Sequence, residues 1–308
     1  MNSLNELLKK YELKPSCYRK NGRVTIVDSK SGKYVIKELK NDVNKNIYKY
    51  LESRNFNYYP SIINEDEEDD YQISEYIEEI DMPEEQKMLD LIELVSLLHY
   101  KTTHYKEVDE DDYKKIYEDI DNNINYLYSY YIDMISVIET KVYMSPSEYL
   151  LARNISKIFA SIEFCRQELD KWYELVKEKR KQRLVVLHNN LELNHFIKNN
   201  NSYLISWDKS KIDIPIFDLY KLYKKHALEY DFEMIFKVYE RNYQLLEEER
   251  KLLFILITLP DKIEFNLSEY EMCKKISRMI DFIYKTEILL SPYYSKDKEY
   301  NANNKEAK

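Results

Sequence analysis

The sequence predicts an α+β protein: a small antiparallel sheet with one helix, followed by a larger, mainly helical part. Three observations predict it. Residues 13 to 39 hold three β-rich runs separated by turn signals. From Glu84 onward, apolar residues recur at helical spacing. Between Leu184 and Trp207 that periodicity gives way to strand, loop and strand, and then returns.

The first part reads as "CYRKNGRVTIVDSKSGKYVIKEL", broken at Asn21-Gly22 and from Ser29 to Gly32. Asn-Gly and Ser-Gly are turn signals, so three antiparallel strands are expected. On the third strand Tyr34, Ile36 and Glu38 share one face, and Val35 and Lys37 the other. By itself Lys37 describes a surface lysine on a half-exposed strand. A helix follows, with Asp42 as N-cap and Val43, Ile47, Tyr50 and Leu51 as its apolar stripe. "PSIINEDEEDDYQISEYI" then predicts a strand, an acidic hairpin tip (Glu65 to Asp70) and a second strand. The tip reads as a solvated turn; it lacks the glycine and spacing of a calcium loop.

In the helical part, Met88, Leu91, Ile92, Val95 and Leu98 line one helix face, with His99 beside them as a core histidine. A second helix is expected over 111–138. A third opens at "SPSE", where Ser145 is the N-cap, Pro146 takes N1 and Glu148 completes a capping box. Phe164, Leu169 and Trp172 on it are packing residues. "RLVVL", "HFI" and "YLISW" read as strands, and helices resume near Pro215 and run to about Leu290. The chain is thus divided into residues 1–78, residues 79–291 and a polar tail, 292–308, expected to be disordered.

Composition excludes several classes. No apolar run approaches the roughly 18–20 residues of a membrane span. The N-terminal stretch lacks the apolar segment of a secretion signal. Three widely spaced cysteines fit reduced thiols in a cytoplasmic setting. A net charge of −9 argues against nucleic acid as partner. Glycine occurs at only two positions, Gly22 and Gly32, too few for a Walker loop or a dinucleotide fingerprint.

The motifs "HNNLELNH", "LISWD" and "PIFDL" follow one another between residues 188 and 219, after "SLLHYKT" at residues 96–102. Together with the strand lysine, this order resembles the protein-kinase-like fold in its aminoglycoside and choline phosphotransferase branch. Residues 10 to 290 are covered, and the pattern is similar to the family's His-Gly-Asp, later Asn, Ile-Asp-Trp/Phe-Asp/Glu and Pro-x-x-Asp-Leu. A spore-coat-associated kinase-like branch is the most similar. The resemblance implies a two-lobed fold, with an N-lobe over 1–78, a C-lobe over 79–291 and a catalytic-loop remnant at 188–208. It also implies ATP as the nucleotide, bound by Lys37 and at a hinge formed by Glu75 and Ile77.

Carried over by position, the family's loop acid falls on Asn190, its metal-binding Asn on His195 and its metal-binding acid on Ser206. Asn cannot take up a proton at working pH. Serine offers magnesium a neutral oxygen, and histidine a nitrogen better suited to zinc or copper. The helix glutamate that braces the lysine has no heir within 43–51; Glu52 lies at the far end. Lys37, His188, Asp208 and Asp218 survive, and the resemblance gives His188 and Asp218 a structural role.

Three functional readings follow. One is a kinase-like protein without phosphotransfer activity, acting as a binding module or scaffold for a protein partner. Another is an active ATP-dependent small-molecule phosphotransferase that uses Asp208 as a shifted metal ligand, or Asn194 after a one-residue shift. The third is a spore-coat-associated structural protein. A transition-metal site of His188, Asp208 and His195 is a further arrangement. The replaced ligands argue against Mg2+; a nucleotide or other small molecule remains an expected partner, and a membrane does not.

Overall fold

A computed structural model of the chain describes residues 8–11, 13, 15–39, 46–64 and 71–306. The chain forms two compact units: Met1–Thr103 with Val185–Ile212, and His104–Leu184 with Asp213–Lys308.

The first unit begins with strands β1 (Pro15–Asn21), β2 (Val24–Ser29) and β3 (Gly32–Glu38), joined by β4 (Tyr71–Glu75) into one sheet in the order β1-β2-β3-β4. All three pairings are antiparallel. The predicted meander is therefore present. Its first turn places Gly22 at φ +60, the left-handed region that glycine enters without steric cost. The inward face buries Leu13, Val27, Ile36 and Ile73 as one cluster, with Tyr34 and Tyr71 packed against it. Successive strand residues alternate faces, so burying Ile36 turns Lys37 to the opposite face.

Helix α1 (Ile47–Ser53) buries Ile47 and Leu51. Its predicted cap, Asp42, and the acidic tip at 65–70 lie outside the described residues; the described helix follows Asn46, whose side chain makes no capping bond. The strand predicted at 61–64 is reduced to a single bridge, Ile62 to Ser74. The reason lies at Asn64, which is buried and uses its amide twice. It donates to Tyr71 O at 2.6 Å and accepts from Ile73 N–H at 2.7 Å, taking the place of ladder bonds.

Helix α2 (Glu84–Thr102) buries the five residues its periodicity selected, and His99 is fully buried beside them. At its end Thr102 Oγ1 donates to Leu98 O (2.8 Å) and accepts from Val186 N–H (3.0 Å). That fastens the helix to strand β6 (Lys181–Leu187), which leads into the 188–192 loop. A 3-10 turn at Leu193–His195, the hairpin β7 (Phe196–Lys198) and β8 (Ser202–Leu204), and a second 3-10 turn at Trp207–Lys209 follow. The hairpin is tied to the segment after β4. Asn199 donates to Glu78 O at 2.7 Å, Ile80 N–H to Lys198 O at 2.8 Å, and Lys198 pairs with Asp90 at 2.8 Å.

The second unit contains α3 (Glu110–Glu139), α4 (Pro146–Val176), α5 (Ile216–His226), α6 (Phe232–Asn242), α7 (Glu247–Thr258) and α8 (Glu269–Glu306). The Ser145–Glu148 capping box forms as the sequence predicts, with Pro146 in the first turn. An equivalent box, Asp109–Asp112, starts α3. Trp172 and Leu169 are buried, and Phe164 packs edge-on against Tyr294 at 5.2 Å. Two short strands escaped the sequence reading: β5 (His104–Glu107), which pairs with the start of β6, and β9 (Lys211–Asp213). They are short and largely exposed, so they carry little alternation of polarity. The polar stretch after 292, expected to be disordered, is helical as far as Glu306, with Pro292 inside α8. A polar composition argues against burial; it does not argue against helix.

Buried charges in this unit are paired. Glu168 accepts from Lys171 and Lys251; burial raises its pKa, but these two hydrogen bonds outweigh that and hold the carboxyl below its usual range. Arg183 pairs with Glu249 and stacks over Tyr243 at 4.3 Å. Cys17, Cys165 and Cys273 are free thiols. Among the described residues no helix is long and apolar enough to cross a membrane.

Candidate functional site

Lys37, Glu75, Ile77, His188, Asn190, His195, Ser206 and Asp208 all belong to the first unit. Asp218, 1% exposed in the first turn of α5, belongs to the second.

The loop after β6 is held by its own backbone. The ring of His188 is fully buried, and its Nε2–H donates to Ile205 O at 2.9 Å. A carbonyl only accepts, so this nitrogen carries the proton. His195 Nδ1–H donates to Asn190 O at 2.8 Å, and Ile205 N–H donates to His195 O at 2.9 Å. Trp207 completes the frame. It is 2% exposed, lies edge-on to His188 (4.9 Å) and Phe56 (6.1 Å), and donates its indole N–H to Leu204 O at 3.0 Å. His188 thus ties the start of the loop to the strand end at Ile205.

Two residues in this frame adopt left-handed backbone. Asn189 has φ 60 and Ser206 has φ 67. Asn tolerates that region best after glycine, which accounts for Asn189 beside the loop histidine. Ser206 ends the extended segment. The strand expected through Trp207 stops at Leu204, and the chain turns into the 3-10 turn. Ser206 and Asp208 are therefore not joined by extended chain. Instead the turn brings Asp208 Oδ2 to 2.5 Å from Lys37 Nζ.

That ion pair is the main surprise of the site. Residues 47–51 of α1 carry no acid, as the sequence indicates; Tyr48 is the polar residue there. Its hydroxyl meets the side chain of Gln72, which donates to it at 3.1 Å. Burial lifts the Tyr48 phenol well above its usual range, the Gln72 bond opposes that rise and the charge of Asp208 adds to it. Lys37 is braced by the acid of the later turn rather than by a helix glutamate. The side chains are 22% and 35% exposed, so solvent screening leaves the pair worth at most about 1 kcal/mol. Lys209, next in sequence, donates to Asn190 Oδ1 at 3.3 Å. Sequence reasoning missed Tyr48, Gln72 and Lys209, because it looked for acids and none of these is one.

The residues do not fit a divalent cation of the magnesium type. Such an ion wants several oxygen ligands, most of them anionic. Around the loop, His195 presents nitrogen, Ser206 a neutral hydroxyl, and Asp208 is engaged by Lys37. Among the described residues no group of three or more His, Cys, Asp or Glu is arranged to hold a metal. His188 and His195 stand 6.3 Å apart between ring centres, each with one ring nitrogen committed to a carbonyl. Glu75 N–H goes to Ser61 O and Tyr76 N–H to Lys33 O, whereas among the described residues nothing accepts from Ile77 N–H.

The chain superposes on an aminoglycoside phosphotransferase from Alicyclobacillus acidocaldarius with a TM-score of 0.69, over 95% of this chain and 95% of that one, at 9% identity. The chain has the aminoglycoside phosphotransferase fold. Spectinomycin phosphotransferase in its AMP-bound complex matches at a TM-score of 0.52 and 13% identity, over 91% of this chain and 96% of that one. The same enzyme with ADP and spectinomycin matches at 0.50 and 13%, over 92% and 97%. No protein-family model and no curated protein sequence matches this chain. At these identities the likeness is one of fold: an antiparallel sheet region followed by a mainly helical part.

Proposed function

We propose that this is a catalytically silent phosphotransferase-fold protein that acts by binding. The division into lobes at 78/79 and the roles given to the site residues are part of this reading. Phosphoryl transfer in this fold works by positioning and charge neutralisation, with little covalent chemistry. It needs an acid to take the acceptor's proton and anions to hold the divalent ion. Asn190 cannot accept a proton. Ser206 is neutral, His195 presents nitrogen, and Asp208 is paired with Lys37 at 2.5 Å. That pairing is the single observation that carries the reading, because it engages the acid that the shifted-ligand alternative would need.

The spectinomycin phosphotransferase neighbours were solved with ADP or AMP, which supports a nucleotide as the small molecule bound here. A protein partner, a cytoplasmic setting and an association with the spore coat belong to the same proposal; a purely structural coat role is the second reading, favoured if nucleotide binding fails.

The test is transfer of the γ-phosphate of labelled ATP to a panel of amino alcohols and aminoglycosides, with Mg2+ and with Mn2+. The expected result is turnover no greater than that of heat-treated protein. Loss of a general base alone costs about 10²–10⁴ in rate. Turnover that disappears in an Asp208→Asn variant would establish the active reading, with Asp208 as a shifted ligand.

A further inference from the structure

The second unit carries a cavity of about 150 Å³ that phosphoryl transfer does not call on. The end of α5, the chain after α7 and the early turns of α8 form it. Its base is apolar: Ala227, Ile263 and Met279 are buried there, and Phe282 adds a ring. Its mouth is basic: Lys225, Lys275 and Arg278 are exposed, and Lys224 lies deeper, its side chain 18% exposed. Among the described residues, Asp261 is the only acid in the lining.

Lys224 is fixed between base and mouth. Its ammonium donates to Leu259 O at 2.9 Å and to Asp261 Oδ1 at 3.1 Å, and lies 4.9 Å from the Phe282 ring centre. The acids just outside the lining are engaged. Glu229 accepts from His226 at 2.6 Å and reaches Arg278 only at 3.8 Å. Glu264 pairs with Lys262 at 2.9 Å. With Glu229, Glu264 and Lys262 counted alongside the lining, five cations meet three acids, in a chain whose net charge is −9. Helix chemistry accounts for two of these cations. Lys224 and Lys225 stand in the last turn of α5, where positive charge suits the helix end. Lys275 and Arg278 lie towards the opposite end of α8, where that effect gives a cation nothing. Like charges gathered at one mouth repel, and an anion relieves the repulsion.

We propose that this cavity binds a small organic anion with a compact apolar body, of the aromatic carboxylate class. A space of about 150 Å³ accepts a body the size of benzene and is too small for a nucleotide. The ring packs on Met279 and Phe282. The carboxylate meets Lys225, Lys275 and Arg278, whose planar fork matches two carboxylate oxygens. The cavity lies wholly within the second unit, so the proposal does not rest on the silent reading.

The experiment is calorimetry on the full chain at low salt, where surface charges are least screened. Benzoate carries ring and charge, benzyl alcohol the ring alone and acetate the charge alone. Benzoate is expected to bind saturably, and the other two at least about tenfold more weakly. Methyl spectra of methionine-labelled protein locate the site: the Met279 signal, assigned with Met279→Leu, should move with benzoate. Lys275→Ala combined with Arg278→Ala, both at exposed positions, should weaken benzoate about tenfold or more. Asp261→Asn should tighten it, because the acid that competes for Lys224 is gone. Circular dichroism establishes that each variant folds; if the double variant does not, Lys225→Ala should still weaken binding about threefold.

The proposal is overturned if benzoate does not bind, if benzyl alcohol or acetate binds as tightly, or if the Met279 signal stays in place while benzoate binds. It is also overturned if removing the cations leaves the affinity unchanged, or if Asp261→Asn weakens it.

Discussion

Restoring the three replaced positions together, by Asn190→Asp, His195→Asn and Ser206→Asp, is expected to make nucleotide binding magnesium-dependent. The frame already has the backbone this change needs. Ser206 sits at φ 67, a conformation that aspartate enters more readily than serine. The loop is fixed by His188 on Ile205 O and by Ile205 N–H on His195 O, and the second of these uses a backbone carbonyl that His195→Asn leaves in place. The two new acids add two negative charges beside Asp208, giving a divalent cation the anionic oxygens it prefers. In the variant, ATP with Mg2+ should raise the melting temperature well beyond ATP in EDTA. Ligand at a hundredfold excess over its Kd contributes about 2.7 kcal/mol by mass action. The wild-type chain should show no such gain from the metal. A folded triple variant that ignores magnesium would mean that the loop lacks phosphotransferase geometry, and the functional account would fail with it.

Trp207→Ala should be the most damaging single substitution in the first unit. Trp207 is buried against His188 and Phe56 and donates to Leu204 O. Truncating such an aromatic costs about 3–5 kcal/mol in transfer energy and residual cavity. The denaturation midpoint should fall accordingly, while the slope is kept if unfolding remains a single transition. Trp207→Phe should keep most of the packing and lose only the indole donor, at about 1 kcal/mol. If Trp207→Ala costs less than about 1 kcal/mol, the turn after β8 is not anchored as described, and the placement of Asp208 loses its support.

The fold was legible where a residue type has one physical use. Asn21-Gly22 marks a turn because glycine enters positive φ freely. Ser145-Pro146-Ser147-Glu148 marks a helix start because each residue suits its capping position. The regular recurrence of Met88, Leu91, Val95 and Leu98 marks a buried helix face. Failures occurred where tertiary contacts decide. Asn64 replaced a strand pairing with side-chain bonds, and no pattern in "PSIINE" announces that. β5 and β9 are exposed and short.

For the site, the sequence singled out Lys37 and Asp208 but did not show that they pair. Reading "YLISW" as a strand left the turn within it unseen, and the left-handed Ser206 sets the direction of Asp208. A residue's φ depends on its surroundings as well as its type, so the pairing of Lys37 with Asp208, 171 positions apart, became visible only in three dimensions.

The central claim is that too few anionic groups remain near the loop to hold a divalent ion beside a nucleotide. Electron paramagnetic resonance of Mn2+, titrated with the protein in the presence of a non-hydrolysable ATP analogue, tests it most directly. The account predicts no protein-bound Mn2+ signal at any protein concentration, only the signals of free Mn2+ and of Mn2+ on the analogue. A new protein-dependent signal that saturates at one ion per chain would contradict it.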